Sequence, residues 1–373
     1  MRPIIRSVAS CGVKATLTTI ALSGLISTST AAGAWLSAAD PHHAVAGLPG
    51  ATGWAAAVRD AAPGVAVPDL TSMTPASAGR FFAALSPAAR AALAQRAPGV
   101  VGNLDGAPYR LRYAANERAA RGDATAARAP GRLLAYDRRG DGRIVEVFGD
   151  LATARRVVVI VPGAGWSLHK ILTWPQTTDR ADPITGARAL LAEIGDQAPA
   201  ARSRVAVIVW LGYDAPENID RESARSERAA AGARALTRFV AGLPGHGAVI
   251  LVGHSYGTVV AGRAAAHSPR VTDVVALASP GMDAGSAAGL RTGARVWAAR
   301  VPGDPIAFAP HVRVWRYGHG ADPVAPGFGA LVFRTGSAHG HGGYYAHGSE
   351  SLINLARIAL GRTAEVTLVA HAD

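Results

Sequence analysis

Cysteine is nearly missing from this chain: Cys11 is the only one among 373 residues. An intrachain disulfide is therefore excluded. Lysine is almost as scarce, with only Lys14 and Lys170, so nearly all of the 38 basic residues are arginines. These arginines are scattered, without a long cluster and without interleaved aromatics. The formal charge of +12 thus reads as an arginine-decorated surface rather than a nucleic-acid interface. A phosphate-binding loop is absent too, because "GAGWSLHK" lacks the Gly-Lys-Ser/Thr ending such loops need. With no covalent staple, stability must come from a core, and 49% apolar residues are enough to build one.

The first 34 residues have the pattern of an export signal. Arg2, Arg6 and Lys14 supply positive charge, and "ATLTTIALSGLIS" is a short apolar stretch. Ala32-Gly33-Ala34 forms an A-x-A-like cleavage site. The stretch is shorter than the roughly 20 residues a membrane span needs. Cleavage after Ala34 would start the mature chain at Trp35 and remove Cys11. A cysteine nucleophile and a thiolate metal site would then be ruled out. The expected location is secreted, outside the cell or in its envelope.

Residues 35–129 are rich in alanine and broken by proline and glycine. Helices are expected over "ASAGRFFAALS" and "SPAARAALAQR", the second with Ser86 as cap and Pro87 at the first helical position. "APGVVGNLDGAPYRLRYAANERAARG" reads as a turn followed by a further helix. The core of this segment is expected to be thin and mostly alanine, packed on its neighbour. From residue 130 to 373 the pattern changes. "RLLAYDRRGDGRIVEVFGD" reads as a β-hairpin, and six apolar runs follow at intervals, mostly separated by helical stretches. Continuous apolar runs indicate strands covered on both faces. Alternating strands and helices indicate a mostly parallel sheet with helices on both faces. The expectation is an eight-stranded α/β fold, with antiparallel strands at one edge and an N-terminal helical segment.

In such a sheet, sites form at the carboxyl ends of strands. The fifth strand runs into "VILVGHSYGTVVAG", where Ser255 stands between Gly253 and Gly257. A chain of this composition holds roughly 0.3 such pentapeptides by chance, so the context carries the inference. An apolar strand precedes the serine and a small-residue helix follows it, as a strand-turn-helix elbow requires. The seventh strand ends at Asp304, with Asp283 and Asp322 as competing acids. After the eighth come His339, His341 and His347. Serine, aspartate and histidine in that chain order match the α/β-hydrolase triad. The chemistry needs each of them: a serine hydroxyl needs a base to take its proton, and a carboxylate must orient that base. The oxyanion needs waiting N–H donors. The backbone N–H groups of Tyr256 and of Ala164, in "VPGAGWSLHK" after the third strand, are the candidates. His254 is read as structural. His339 and His341 lack the nearby carboxylate or cysteine that would complete a metal site, and neither a metal nor a cofactor is expected.

The stretches "GNLDGAPYRLRYAANERA", "VPGAGWS", "WLGYDAPE", "GHSYGTVVAG", "RVWAARVPGDPI", "GADPVAPGFGA" and "HGGYYAHGSESLINLARIALGR" resemble an actinobacterial-type family of α/β-hydrolases, a domain family of unknown function. They run in order over roughly residues 80 to 362. The resemblance implies Ser255 as nucleophile, Asp304 as acid, and His341 with Tyr344 as the family's His-x-x-Tyr element. Trp166 stands where the family often has threonine, and Gly342 where a serine commonly follows the histidine; both bear on pocket shape. Trp166 and Tyr344 are candidates for the pocket lining. The functional expectation is a secreted serine hydrolase acting on a small-molecule or lipid-like carboxylic ester. Amide or thioester hydrolysis on the same triad is an alternative, as is a non-catalytic cell-envelope binding module that keeps the fold.

Overall fold

The computed structural model describes residues 47–174 and 182–370; the expected signal segment lies outside the described residues. Among the described residues five helices come first: α1 (Trp54–Ala61), α2 (Pro75–Ala84), α3 (Pro87–Arg96), α4 (Pro98–Asn103) and α5 (Tyr109–Ala119). Proline opens α2, α3 and α4, where its missing N–H costs nothing. Ser86 caps α3 by accepting from the Ala89 N–H, and Thr74 and Ser77 close a reciprocal capping box on α2. The helices α1 and α4 stand where no helix was expected. The core of this segment is also thicker than an alanine core. Trp54, Val58, Phe82, Leu93, Val100, Val101 and Leu104 are buried among the alanines.

The segment is tied to the sheet by two asparagines. Asn103 bonds both backbone groups of Tyr136, donating to its carbonyl and accepting from its N–H at 2.9 Å each. Asn116 donates to the carbonyls of Gly102 and Leu133. Three of these bonds engage Leu133 and Tyr136 of the edge strand over Arg132–Asp137, whose outer backbone groups are thereby partly occupied.

Ten strands follow among the described residues: β1 (Arg132–Asp137), β2 (Arg143–Phe148), β3 (Arg156–Val161), β4 (Val205–Leu211), β5 (Ala248–His254), β6 (Val271–Leu277), β7 (Gly281–Ala284), β8 (Arg295–Ala299), β9 (His319–Gly320) and β10 (Leu331–Val332). Eight of them form one sheet in the order β1-β2-β4-β3-β5-β6-β8-β10. These are the eight expected from the apolar runs. β1 and β2 pair antiparallel, as do β2 and β4, and every other pairing is parallel. The small parallel pair β7–β9 was not expected, because neither strand has a long apolar run.

The remaining helices are α6 (Leu168–Thr173), α7 (Pro183–Gln197), α8 (Glu227–Gly242), α9 (Gly257–Ala265) and α10 (Glu350–Leu360). Val145 of β2 lies with Ala235 and Phe239 of α8, whereas Phe148 lies with Thr185 and Ala189 of α7. Strand residues an odd number apart point to opposite faces, so α7 and α8 cover the two sides of the sheet. The loops that leave β3, β5, β8 and β10 all emerge at one end of it.

Candidate active site

Strand β5 ends at His254 and α9 starts at Gly257, leaving Ser255 and Tyr256 to reverse the chain. Ser255 has φ 52, a left-handed conformation that costs a non-glycine residue about 1–2 kcal/mol. The two flanking glycines explain how so tight a turn fits. A Cβ on Gly253 would stand 2.6 Å from Thr258 Cα, and one on Gly257 would stand 2.2 Å from the Val161 carbonyl oxygen. Thr258 locks the turn from below, with its hydroxyl 2.7 Å from the Ser255 carbonyl and 2.7 Å from Ser279 Oγ. Strain of this kind is held only where surrounding bonds over-determine it.

The β3 loop crosses in front of the turn. A Cβ on Gly163 would come within 2.9 Å of Ser255 Cβ and 3.2 Å of the Tyr256 nitrogen, so glycine is what lets the loop approach. Gly165 has φ 77 and its N–H donates to the Pro216 carbonyl at 2.6 Å, which turns the loop back. The N–H groups of Ala164 and Tyr256 donate to no other described residue. Tyr256 follows the serine directly, and Ala164 follows the Gly163 that approaches it. Trp166 is half-buried on the same loop, edge-on to Trp174 with ring centroids 6.3 Å apart.

Asp304 follows β8 and is buried, while His341 follows β10 and keeps a third of its side chain exposed. His341 Nδ1 lies 2.8 Å from Asp304 Oδ1. The other carboxylate oxygen accepts from the Tyr344 hydroxyl at 2.7 Å, and Oδ1 also accepts the Ile306 N–H at 2.9 Å. Burial alone would raise the Asp304 pKa. The bonds from His341, Ile306 and Tyr344 outweigh it and hold the group below the ordinary carboxylate value. An ionised carboxylate only accepts, so Nδ1 carries the proton and Nε2 keeps a lone pair free for another partner. Tyr344 was a candidate for the pocket lining. It is instead fully buried, with its hydroxyl donating to Asp304 and accepting from the Val301 N–H, so it supports the acid. Burial, and after it the hydrogen bond to Asp304, raises the Tyr344 pKa.

Ser255 Oγ forms no hydrogen bond with a described residue. Its neighbour His254 links the two loops: Nε2–H donates to the His341 carbonyl at 2.7 Å, and the two imidazole rings meet edge-on at 4.8 Å. Burial, then the nearby His341, pushes the His254 pKa from 6.5 down to about 4. A buried neutral histidine destabilises the fold as pH falls. The unfolded chain takes up the proton near 6.5, the folded chain only near 4, so stability is lost between them on acidification. Wild type is expected to lose about 2–3 kcal/mol from this group between pH 7 and 4.5. Urea unfolding of His254→Asn beside wild type at both pH values measures it. Equal pH slopes for the two proteins would refute the assignment.

The competing acids are committed elsewhere. Asp283 pairs with Arg263 at 2.7 Å and accepts from Ser226 Oγ at 2.7 Å. The His319 beside it bonds the Ser223 carbonyl through Nε2, and its Nδ1 lies 3.3 Å from both Asp283 Oδ1 and Ser226 Oγ, so both ring nitrogens are engaged. Asp322 pairs with Arg300 at 2.5 Å. His339 is exposed, with Nδ1 3.3 Å from the Ser337 carbonyl oxygen. One grouping had no sequence signal at all: Asp141, Asp214 and Glu217 converge, with ligand atoms within 4.8 Å of one another. Burial raises the Asp214 pKa, against the opposing charge of Arg228. The Arg228 guanidinium at 2.7 Å already serves Asp214 as counter-charge.

The family match agrees with this architecture. Residues 137–314 match the family described as alpha/beta hydrolase. That stretch contains Ser255 and Asp304, and His341 lies beyond it. Over 272 aligned residues the chain is 34% identical to uncharacterised proteins from two strains of Mycobacterium tuberculosis, covering 61% of this chain and 39% of theirs. The chain thus spans about two fifths of the length of the curated relatives it matches. Similar solved structures include a dienelactone hydrolase from Anabaena variabilis, with 17% identity, 61% of this chain, 93% of that one and a TM-score of 0.36. Another is an α/β serine hydrolase without lid from Xanthomonas campestris, with 18% identity, 62% of this chain, 92% of that one and a TM-score of 0.32. With the sheet order and the family match together, the chain has the α/β-hydrolase fold, and residues 137–314 resemble the α/β-hydrolase family.

Proposed function

We propose that this protein is a serine hydrolase that cleaves a carboxylic ester through an acyl-enzyme. The observation that carries the reading is His341 paired with the buried Asp304, set at the same end of the sheet as a serine held at φ 52. In this reading Ser255 Oγ attacks the ester carbonyl carbon while its proton passes to His341 Nε2. The Ala164 and Tyr256 N–H groups receive the oxyanion. The tetrahedral adduct collapses as His341 returns the proton to the leaving alcohol, and a water molecule then releases the acid by the same steps. Asp304 holds the imidazole in the tautomer with Nδ1 protonated and stabilises the cation formed in each step. His254 stays neutral near pH 7, so no second positive charge opposes that cation. The protein is also proposed to be exported and processed after Ala34, which N-terminal sequencing of the secreted form would check.

Labelling with a fluorophosphonate probe tests the chemistry. Wild type is expected to label at Ser255, located by peptide mass spectrometry, and His341→Ala is expected to lose the label. A folded wild type that does not label would favour a non-catalytic binding module on the same fold. Labelling at another serine would overturn the assignment of the nucleophile.

A further inference from the structure

Ten large apolar side chains are exposed among the described residues, and four of them fall within eight positions: Phe308 (84%), Val312, Val314 and Trp315 (82%). Singly exposed apolar residues are ordinary; a group of them is not. The segment begins at the site itself, because Asp304 caps the short turn Pro305–Phe308 through the Ile306 N–H. It then forms a two-residue hairpin, in which Val314 and Tyr317 exchange both backbone hydrogen bonds, at 2.9 and 3.0 Å. Trp315 and Arg316 make the tip. Trp315 has φ 57, a conformation that such turns normally give to glycine, asparagine or aspartate. A bulky residue is therefore held there at a conformational cost, facing solvent.

The hairpin is anchored rather than loose. The Gly318 N–H donates to the Ala224 carbonyl at 2.8 Å, and Arg225 Nη2 donates to the Tyr317 hydroxyl at 2.8 Å. The loop that provides those anchors carries a further exposed apolar residue, Ile219 (88%). Between Pro305 and Gly318 there is no acidic residue, and Arg313 and Arg316 flank Trp315. The Arg316 guanidinium lies 5.1 Å above the Trp315 ring. Among the described residues both arginines have only long ion pairs, Arg313 to Asp283 and Arg316 to Glu227 at 3.6 Å each, and each stays nearly half exposed. Asp283 is already held more closely by Arg263.

The geometry points to the Pro305–Gly318 hairpin as a peripheral membrane contact, seating Phe308 and Trp315 in an anionic lipid surface beside the site. Tryptophan favours the headgroup level of a bilayer, and arginines near the surface are drawn to anionic lipid. A second copy of the chain would bring the same arginines against these, on a protein of formal charge +12. Charge complementarity therefore favours the lipid. This inference concerns binding and does not depend on the hydrolytic reading.

The test is flotation of the full chain with vesicles of phosphatidylglycerol and phosphatidylcholine, and with vesicles of phosphatidylcholine alone. Wild type is compared with Phe308→Ser/Trp315→Ser and with Arg313→Gln/Arg316→Gln; all share the same N-terminal residues, whose own lipid affinity cancels. Wild type is expected to prefer the anionic vesicles. The apolar double variant should partition at least about tenfold less, and the arginine double variant should lose the preference. A second readout avoids any folding defect: brominated phosphatidylglycerol should quench wild-type tryptophan fluorescence, and Trp315→Phe should lose that quenching while still floating. Equal flotation of wild type and the apolar variant would overturn the proposal, as would no change in quenching. So would a wild-type dimer that fails to float and that the apolar variant dissociates, which would mark the hairpin as a self-association face.

Discussion

Ser255→Ala is expected to lower kcat on a p-nitrophenyl ester by about a million-fold, the scale at which serine hydrolases lose their nucleophile. Residual turnover should come only from bound water and the oxyanion donors. The same substitution should leave stability within about 0.5 kcal/mol of wild type. Ser255 Oγ makes no hydrogen bond with a described residue, and alanine at φ 52 bears much the same backbone strain as serine. Steady-state kinetics beside a thermal unfolding curve read both quantities. More than a tenth of wild-type activity in the variant would remove Ser255 from the mechanism.

Asp304→Asn is expected to lower kcat by about ten thousand-fold with the fold intact. Asparagine fills the same space; its carbonyl oxygen can still accept from Ile306, and its NH2 group can donate to the Tyr344 hydroxyl where the second carboxylate oxygen accepted. It lacks the charge that fixes the proton on His341 Nδ1 and stabilises the imidazolium. Asp322→Asn serves as the control, since Asp322 pairs with Arg300 and has no bond to His341. Its kcat should stay within about threefold of wild type. The reverse pattern, with Asp322→Asn inactive and Asp304→Asn active, would show that the acid was misplaced. Because Asp304 is held below the ordinary carboxylate value, its protonation should not set the acid limb of the pH–rate profile near neutrality.

These assignments differ in how much of them the sequence carries. The eight strands of the main sheet and the cap at Ser86–Pro87 were legible because the signals are local. A continuous apolar run identifies a strand buried on both faces, and a serine before a proline starts a helix whatever lies around it. The glycines around Ser255 were legible for the same reason, since a close turn excludes a Cβ wherever the chain makes it. Counting strands put Ser255 after the fifth, Asp304 after the seventh and the histidines after the eighth; the choice of His341 among them came from the family resemblance.

Only the tertiary structure decided the order in which those strands lie, with β4 between β2 and β3. It also decided which aspartate meets the histidine. Asp283, Asp304 and Asp322 are alike in local sequence. What separates them is a contact across 37 residues at Asp304 and arginine partners at the other two. Tyr344 could not be read as a buried support for Asp304 rather than a pocket wall, nor His254 as the tie to the His341 loop. Each role rests on hydrogen bonds formed between segments 40 or more residues apart, and hydrophobic periodicity carries no record of such pairings. The helices α1 and α4 and the pair β7–β9 escaped notice because they are short. The packing of neighbouring elements, more than their own propensity, holds them in place.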